Sequence, residues 1–243
     1  MLKNTIKRIL QNNTIGTNNL NNREIWLKKT LEKIPNKNSI LDAGAGELQY
    51  KKFCNHLEYT SQDFGEYNGE GNNEALQTKS WDNSKLDIIS DISSIPREDK
   101  SFDAIMCIEV FEHIPYPNEA LKEFSRLLKK NGKLIITAPF CSLTHFAPYH
   151  FSTGFNKYFY EEALTANGFR ILELTPNGNY YEYLAQEARR LPDIIQKYSN
   201  SKINIFEKIL IYLILKVLNK YNKKDKGSNE LLCFGYQVLA QKV

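Results

Sequence analysis

Along this chain, apolar positions come in blocks whose period switches between strand-like and helix-like. Ile40 and Leu41 form a short apolar run that ends on Asp42, residues 57–63 end on Asp63, and residues 86–90 lead into Asp91-Ile92. Residues 101–109 run apolar from Phe102 to Ile108 except at Asp103 and close on Glu109, the pattern of a strand covered on both faces. Helical spacing takes over at 118–130, where Ala120, Leu121, Phe124, Leu127 and Leu128 recur three and four apart before the stop signal Asn131-Gly132. A fifth strand follows at 133–138, a helix at 159–166, a sixth strand at 169–175 and a last strand at 231–240.

Strands and helices alternating at these spacings predict an α/β, doubly wound parallel sheet whose ligands sit at the carboxyl ends of the strands. Asp42, Asp63, Asp91 and Glu109 each close a predicted strand, so the acidic groups gather at that edge. At 243 residues one domain suffices, organised as an N-terminal helical extension over 1–36 and a main domain over 37–243. The extension holds an asparagine-rich connector over 12–22, read as compositional bias without a function, and a helix over 23–33. About 55 residues separate the last two strands, too many for a hairpin. They predict a helical insertion over about 179–228, with a helix over 180–190 interrupted by Pro192 and a strongly apolar helix over 203–218.

The first strand runs into Asp42-Ala43-Gly44-Ala45-Gly46, a turn tight enough to need glycine and open enough to let a ligand press against the backbone. Gln49 stands where a dinucleotide fingerprint needs its third glycine, which argues against NAD or FAD. Asp63 lies 21 residues after Asp42, at the spacing of an acid that binds a ribose hydroxyl.

Ser101-Phe102-Asp103 leads to a second signature, Glu109-Val110-Phe111-Glu112-His113-Ile114-Pro115. With the glycine turn it resembles the class I S-adenosylmethionine-dependent methyltransferases of small-molecule type over about residues 38–175. The resemblance implies a Rossmann-like seven-stranded sheet of order 3-2-1-4-5-7-6, its last strand antiparallel beside the fifth, and S-adenosyl-L-methionine as cofactor. It implies that Asp42, Ala43, Gly44 and Gly46 lie under the methionine portion, Asp63 with its neighbour Phe64 holds the ribose, and Asp91 with Ile92 flanks the adenine. Glu109 and Val110 would line the methionine side. The chain departs from the commoner Gly-x-Gly-x-Gly turn at Leu48, and it lacks the Pro-Pro-Tyr box of amino-group methyltransferases acting on DNA.

Methyl transfer to a hydroxyl is helped by a base, and three of the four histidines, His113, His145 and His150, follow the fourth and fifth strands. They are the catalytic candidates, and the aromatic loop 139–151 is the acceptor-pocket candidate, with packing onto the sheet as its plainer role. His145 and His150, five apart on an irregular loop, have no third ligand assigned by sequence, so no metal is expected.

Bulk properties narrow the partners. A net charge of +4 without a basic block over the site disfavours nucleic acid. Cys54, Cys107, Cys141 and Cys233, scattered without a paired motif, fit reduced thiols, and the first ten residues lack a signal-peptide core, so a cytoplasmic location is expected. The leading reading is O-methylation of a small molecule or glycan precursor. A second is methylation of a quinone or lipid at a membrane surface through residues 203–226, whose apolar face would otherwise be covered by the domain or a twin subunit. A third is a cofactor-binding interaction protein without catalysis.

Overall fold

The computed structural model describes residues 14–243; the first thirteen residues of the expected N-terminal extension, with Asn12 and Asn13 and the segment read for a signal peptide, lie outside the described residues. The chain divides into two compact units. One contains Arg23–Thr175 and Gly235–Val243, and the other contains residues 14–22 and Pro176–Phe234.

The larger unit is built on the expected sheet. Strands β1 (Ser39–Ala43), β2 (Glu58–Asp63), β3 (Ile88–Ile89), β4 (Phe102–Ile108), β5 (Leu128–Pro139), β6 (Phe169–Asn177) and β7 (Gly235–Lys242) lie in the order β3-β2-β1-β4-β5-β7-β6. Pairs β1–β2, β1–β4, β2–β3 and β4–β5 are parallel, and β7 runs antiparallel to β5 from Lys133↔Gln241 to Pro139↔Gly235. The central β4 is buried except for the partly exposed Asp103, whose carboxylate accepts from Ser39 N–H at 3.0 Å and pairs with Lys129 at 2.8 Å.

Helix α1 (Asn19–Leu31) places Leu27 and Leu31 on a core of Ile40, Met106, Ile108 and Ile135. Helix α2 (Pro117–Leu127) starts on a proline at its first turn, where the missing N–H costs nothing, and buries Ala120, Leu121, Phe124 and Leu127. Helix α3 (Lys157–Ala166) is capped by Asn156, whose side chain accepts from Phe159 N–H.

The alternation of strands and helices is broken in the first half of the fold. Between β1 and β2 the described residues hold only a 3₁₀ turn, Lys51–Phe53, and the connections β2–β3 and β3–β4 contain turns and bends. Their composition explains this: residues 65–73 hold Gly65, Gly69, Gly71 and Asn68, Asn72 and Asn73, and no apolar period that could hold a helix on the sheet. Strand β3 is accordingly short, with Ile89 exposed.

The smaller unit corrects two expectations. Helix α4 (Tyr180–Ser199) continues through Pro192 instead of ending before it. One lost backbone bond in twenty residues is offset by packing: α4 lies along α5 (Ile205–Asn222), where Ala185, Leu215 and Ile15 form a small core. The asparagines near residue 20 are structural as well: Asn177 donates to Asn19 Oδ1 at 2.9 Å and accepts from Asn22 at 3.2 Å, and α1 begins at Asn19, inside the expected connector. Helix α5 opens on a capping box between Asn204 and Glu207, which fixes its start two residues beyond the expected one. Among the cysteines, Cys54, Cys107 and Cys233 are buried and free, whereas Cys141 is only partly buried.

Candidate active site

The carboxyl ends of β1, β2, β4 and β5 lie side by side, and Asp42, the glycine turn, Asp63 and Glu109 sit there, whereas Asp91 and Ile92 follow β3. Gly44 and Gly46 have φ of 78° and 50°, a region costly for any residue with a side chain. A Cβ on Gly44 would lie 2.5 Å from Val110, and one on Gly46 would lie 2.5 Å from the Trp81 ring. Leu48, where the pattern lacks its glycine, adopts φ 62°, so the backbone keeps the glycine-like turn without the glycine.

Four N–H groups of this turn are already used. Gly44 and Ala45 both donate to Gln62 O at 2.8 Å, Gly46 donates to Asp63 Oδ2 at 2.9 Å, and Leu48 donates to Ala45 O at 2.8 Å. A dinucleotide pyrophosphate needs free N–H groups at a helix N-terminus. Here the donors of Gly44, Ala45, Gly46 and Leu48 are taken, and β1 is followed by a 3₁₀ turn, not by an α-helix. The turn therefore suits a cofactor that carries no pyrophosphate.

Asp63 also accepts from Gly65 N–H through Oδ1 at 3.0 Å, so its carboxylate joins the glycine turn to the start of the next connection. Burial pushes its pKa up against these two bonds. Asp42 is 2% exposed and accepts from the Tyr59 hydroxyl at 2.7 Å. Burial first, and the nearby Asp63 charge second, raise Asp42 to about 7, while the Tyr59 bond pulls the other way.

The sign follows directly. A carboxyl raised in the folded state favours folding when protonated, so its contribution is present below pH 4 and is lost as pH rises through about 7. Asp42→Asn keeps the acceptor oxygen for Tyr59 and removes the charge. In ligand-free protein the variant is expected to be more stable than the parent at pH 8, by on the order of 3 kcal/mol, with the gain vanishing near pH 4. Denaturant titrations at the two pH values check this, and an equal or lower midpoint for the variant at pH 8 contradicts it.

Glu109, at the end of β4, holds φ 56°. Such strain persists only when neighbours over-determine it. Glu109 N–H donates to Thr137 O at 2.8 Å, its Oε1 accepts from Thr137 Oγ1 at 2.9 Å, and its Oε2 pairs with Arg23 at 2.7 Å. Arg23 was not singled out by sequence, because its partner lies far away in the chain and an isolated arginine on a helix carries no local signal.

The three histidines come together in the next layer. Ring centroids of His113 and His145 lie 4.6 Å apart, those of His145 and His150 5.0 Å, and those of His113 and His150 5.8 Å. His113 Nδ1 bonds to Tyr149 O, His145 Nδ1 to Leu143 O, and His150 Nε2 to Ser142 Oγ at 3.1 Å. Burial, then the neighbouring His145, lowers His113 to about 3, and burial likewise lowers His150. Both rings are therefore neutral near pH 7.

The acceptor-loop candidate is tied to the β2–β3 connection. Phe146 N–H donates to Leu76 O at 2.9 Å, and Leu76 N–H to Thr144 O at 3.2 Å. Aromatic contacts reinforce the link: Phe146 stacks on Tyr67 at 4.6 Å and meets Trp81 edge-on at 5.2 Å, while Phe64 meets Tyr149 at 4.9 Å. Tyr67 and Trp81 were missed because they lie in a segment without periodicity. Asp91 is exposed and spends Oδ1 on the N–H and hydroxyl of Ser93, both at 2.7 Å, and Ile92 beside it is half-buried.

Trp81 lies against the glycine turn, and the only other tryptophan, Trp26, is bonded to Glu173 at 2.7 Å. S-adenosylhomocysteine is expected to change the emission of the parent and leave Trp81→Phe unchanged. A change that persists in Trp81→Phe would place the ligand elsewhere.

Residues 41–136 match the family model described as a methyltransferase domain. Over 37 residues the chain is 46% identical to a ubiquinone biosynthesis O-methyltransferase of Xanthomonas oryzae, a match spanning 15% of this chain and 16% of that one. The chain covers only 16–21% of the length of the curated relatives it matches. A solved S-adenosylmethionine-dependent methyltransferase from Archaeoglobus fulgidus superposes with TM-score 0.53 at 17% identity, over 90% of this chain and 92% of that one. The [4+2]-cyclase SpnF superposes with TM-score 0.54 at 16% identity, over 89% and 79%. At these identities the likeness is one of fold. Taken with the matched segment, the sheet order and the glycine turn, it makes residues 41–136 similar to the methyltransferase domains of the class I, S-adenosylmethionine-dependent enzymes.

Proposed function

We propose that the protein is an S-adenosylmethionine-dependent methyltransferase that methylates an oxygen of a small molecule or glycan precursor. The observation that carries the cofactor is the glycine turn, whose Gly44, Ala45 and Gly46 N–H groups are taken by Gln62 O and Asp63 and so do not face a pyrophosphate. Gly44 and Gly46 leave the backbone bare beside Val110 and Trp81, and Asp63 retains lone pairs for ribose hydroxyls beyond its two backbone bonds. The bound cofactor supplies a methyl group activated by a sulfonium. The protein's work is then to align the acceptor and exclude water.

Oxygen as the acceptor atom is supported by the imidazoles. His150 is neutral near pH 7 and already sits at hydrogen-bond distance from a hydroxyl, Ser142 Oγ. In this reading it takes the proton of the acceptor hydroxyl, which the aromatic loop orients. The test is release of S-adenosylhomocysteine against a panel of phenols, sugars and amines. The proposal expects turnover on hydroxyl acceptors that falls at least tenfold in His150→Ala with cofactor affinity unchanged; turnover confined to amines, or a fully active variant, contradicts it.

A quinone or other lipid at a membrane surface is a second reading, supported by one further observation. Phe206, Leu213 and Val217 on α5 are 65%, 50% and 53% exposed, and Lys216, Lys220, Lys223 and Lys224 lie on the same helix and its end. Among the described residues no helix is long and apolar enough to cross a membrane, so contact would be peripheral. Co-flotation with anionic vesicles, lost in Phe206→Ser with Leu213→Ser, is the expected result. No binding to anionic vesicles would remove this reading.

A further inference from the structure

The E-V-F-E-H signature supplies a group that neither the glycine turn nor the proposed base uses. Glu112 is 1% exposed, and its Oε2 makes no hydrogen bond. Its Oε1 lies 3.7 Å from His113 Nε2 and 3.8 Å from His145 Nε2, and the two Nε2 atoms lie 3.1 Å apart. The three donor atoms thus form a compact triangle.

The tautomers follow from the partners. His113 Nδ1 faces Tyr149 O and His145 Nδ1 faces Leu143 O. A carbonyl only accepts, so both Nδ1 atoms carry hydrogen, and each neutral ring presents a lone pair at Nε2. Two lone pairs at 3.1 Å, beside the Glu112 carboxyl group, call for a positive charge between them. A proton or a cation could provide it. Donors held at roughly 2.0–2.2 Å from one ion lie about 3–4 Å from each other, which is the spread found here. Anchoring of the second ring nitrogen to a carbonyl is also the usual way of orienting a metal-binding histidine.

We propose that Glu112, His113 and His145 form a three-ligand site for a divalent first-row ion of borderline softness, such as Zn²⁺, Co²⁺ or Ni²⁺. Two imidazoles and one carboxylate match that class of ion better than Mg²⁺ or Ca²⁺, which prefer all-oxygen shells. The fold assembles the site from two loops: Glu112 and His113 sit on the 3₁₀ turn Phe111–His113 after β4, and His145 comes from the loop after β5. Sequence spacing had offered His145 and His150 without a third ligand; the fold pairs His145 with a different histidine and with a glutamate. Three ligands leave positions open for an acceptor oxygen, whose hydroxyl the ion would acidify beside His150. That role rests on the O-methylation reading, whereas the binding site itself does not.

The test is titration of the full chain with Co²⁺, followed by visible absorption, with calorimetric binding of S-adenosylhomocysteine measured on the same samples. One equivalent of Co²⁺ is expected to saturate, with d–d bands displaced by Zn²⁺. His145→Ala and Glu112→Gln should each weaken Co²⁺ binding at least tenfold while S-adenosylhomocysteine binding shows that they remain folded. The absence of saturable Co²⁺ binding to the parent protein overturns the proposal without needing any variant. Equal affinity in folded His145→Ala overturns it as well. Saturable Co²⁺ binding lost in His145→Ala, in protein that transfers no methyl group to oxygen, supports the site and refutes only the O-methylation reading.

Discussion

Replacing Gly44 by alanine is expected to abolish useful cofactor binding. The position has φ 78°, and the new Cβ would lie 2.5 and 2.6 Å from the two methyl carbons of Val110. Left-handed backbone costs an alanine about 1–2 kcal/mol. Overpacking adds about 1–3 kcal/mol, so the sum, roughly 2–5 kcal/mol, must appear as lost stability, a displaced Val110 or both. Because Gly44 N–H and Ala45 N–H share Gln62 O, a shift at Gly44 also disturbs the anchor of the turn. Affinity for S-adenosylhomocysteine should fall at least thirtyfold. The double variant Gly44→Ala with Val110→Ala separates the two causes: it relieves the clash but not the backbone strain, so partial recovery is expected. Full affinity in the single variant, in folded protein, would mean that the ligand does not approach this turn.

Asp63→Ala is expected to have the second large effect, and its cause is architectural before it is chemical. The carboxylate accepts from Gly46 N–H and Gly65 N–H, at 2.9 and 3.0 Å, in a site where Gly46 is buried. Hydrogen bonds to a charged group contribute about 1.5–3 kcal/mol each, and an unsatisfied buried N–H adds its own desolvation cost. Loss of both bonds should release the glycine turn and lower cofactor affinity by about a hundredfold, even if no ribose contact exists. Asp63→Asn retains one acceptor oxygen and should fall between parent and alanine. An affinity for Asp63→Asn equal to that of Asp63→Ala would show that charge toward the ligand, rather than the backbone bonds, carries the effect.

These two residues show what was legible in the sequence. Glycines, strand-closing acids and apolar runs are local signals that mark the strands and the edge at which the site forms, whereas the strand order came from the family resemblance. Asp63 was visible as an acid at a nucleotide-binding spacing, but its bond to Gly46 depends on β1 and β2 lying side by side in register. The pair Arg23–Glu109 and the aromatic contacts of Tyr67 and Trp81 with Phe146 join segments far apart in the chain, so no local pattern announces them. Glu112 was in plain view inside a quoted motif, yet its meeting with His145 depends on where two separate loops turn back.

The helical expectations failed where propensity was overruled by packing or by composition. Pro192 reads as a break, but contacts between α4 and α5 hold the helix together across it. The connections after β1, β2 and β3 hold no α-helix, and between β2 and β3 the glycine and asparagine content accounts for it. The absence of a helix after β1 is also informative, since it removes the phosphate-binding N-terminus that a dinucleotide would use.

The solved cyclase with this fold shows that the sheet alone does not decide the chemistry, so cofactor binding is the claim on which the account stands. The most direct measurement is calorimetric titration of the full chain with S-adenosylmethionine and S-adenosylhomocysteine, with NAD as control. Saturable, micromolar binding of both sulfur nucleosides and none of NAD is expected. Binding of NAD, or of neither sulfur nucleoside, would contradict it, because the closed glycine turn would then serve another ligand or only the fold.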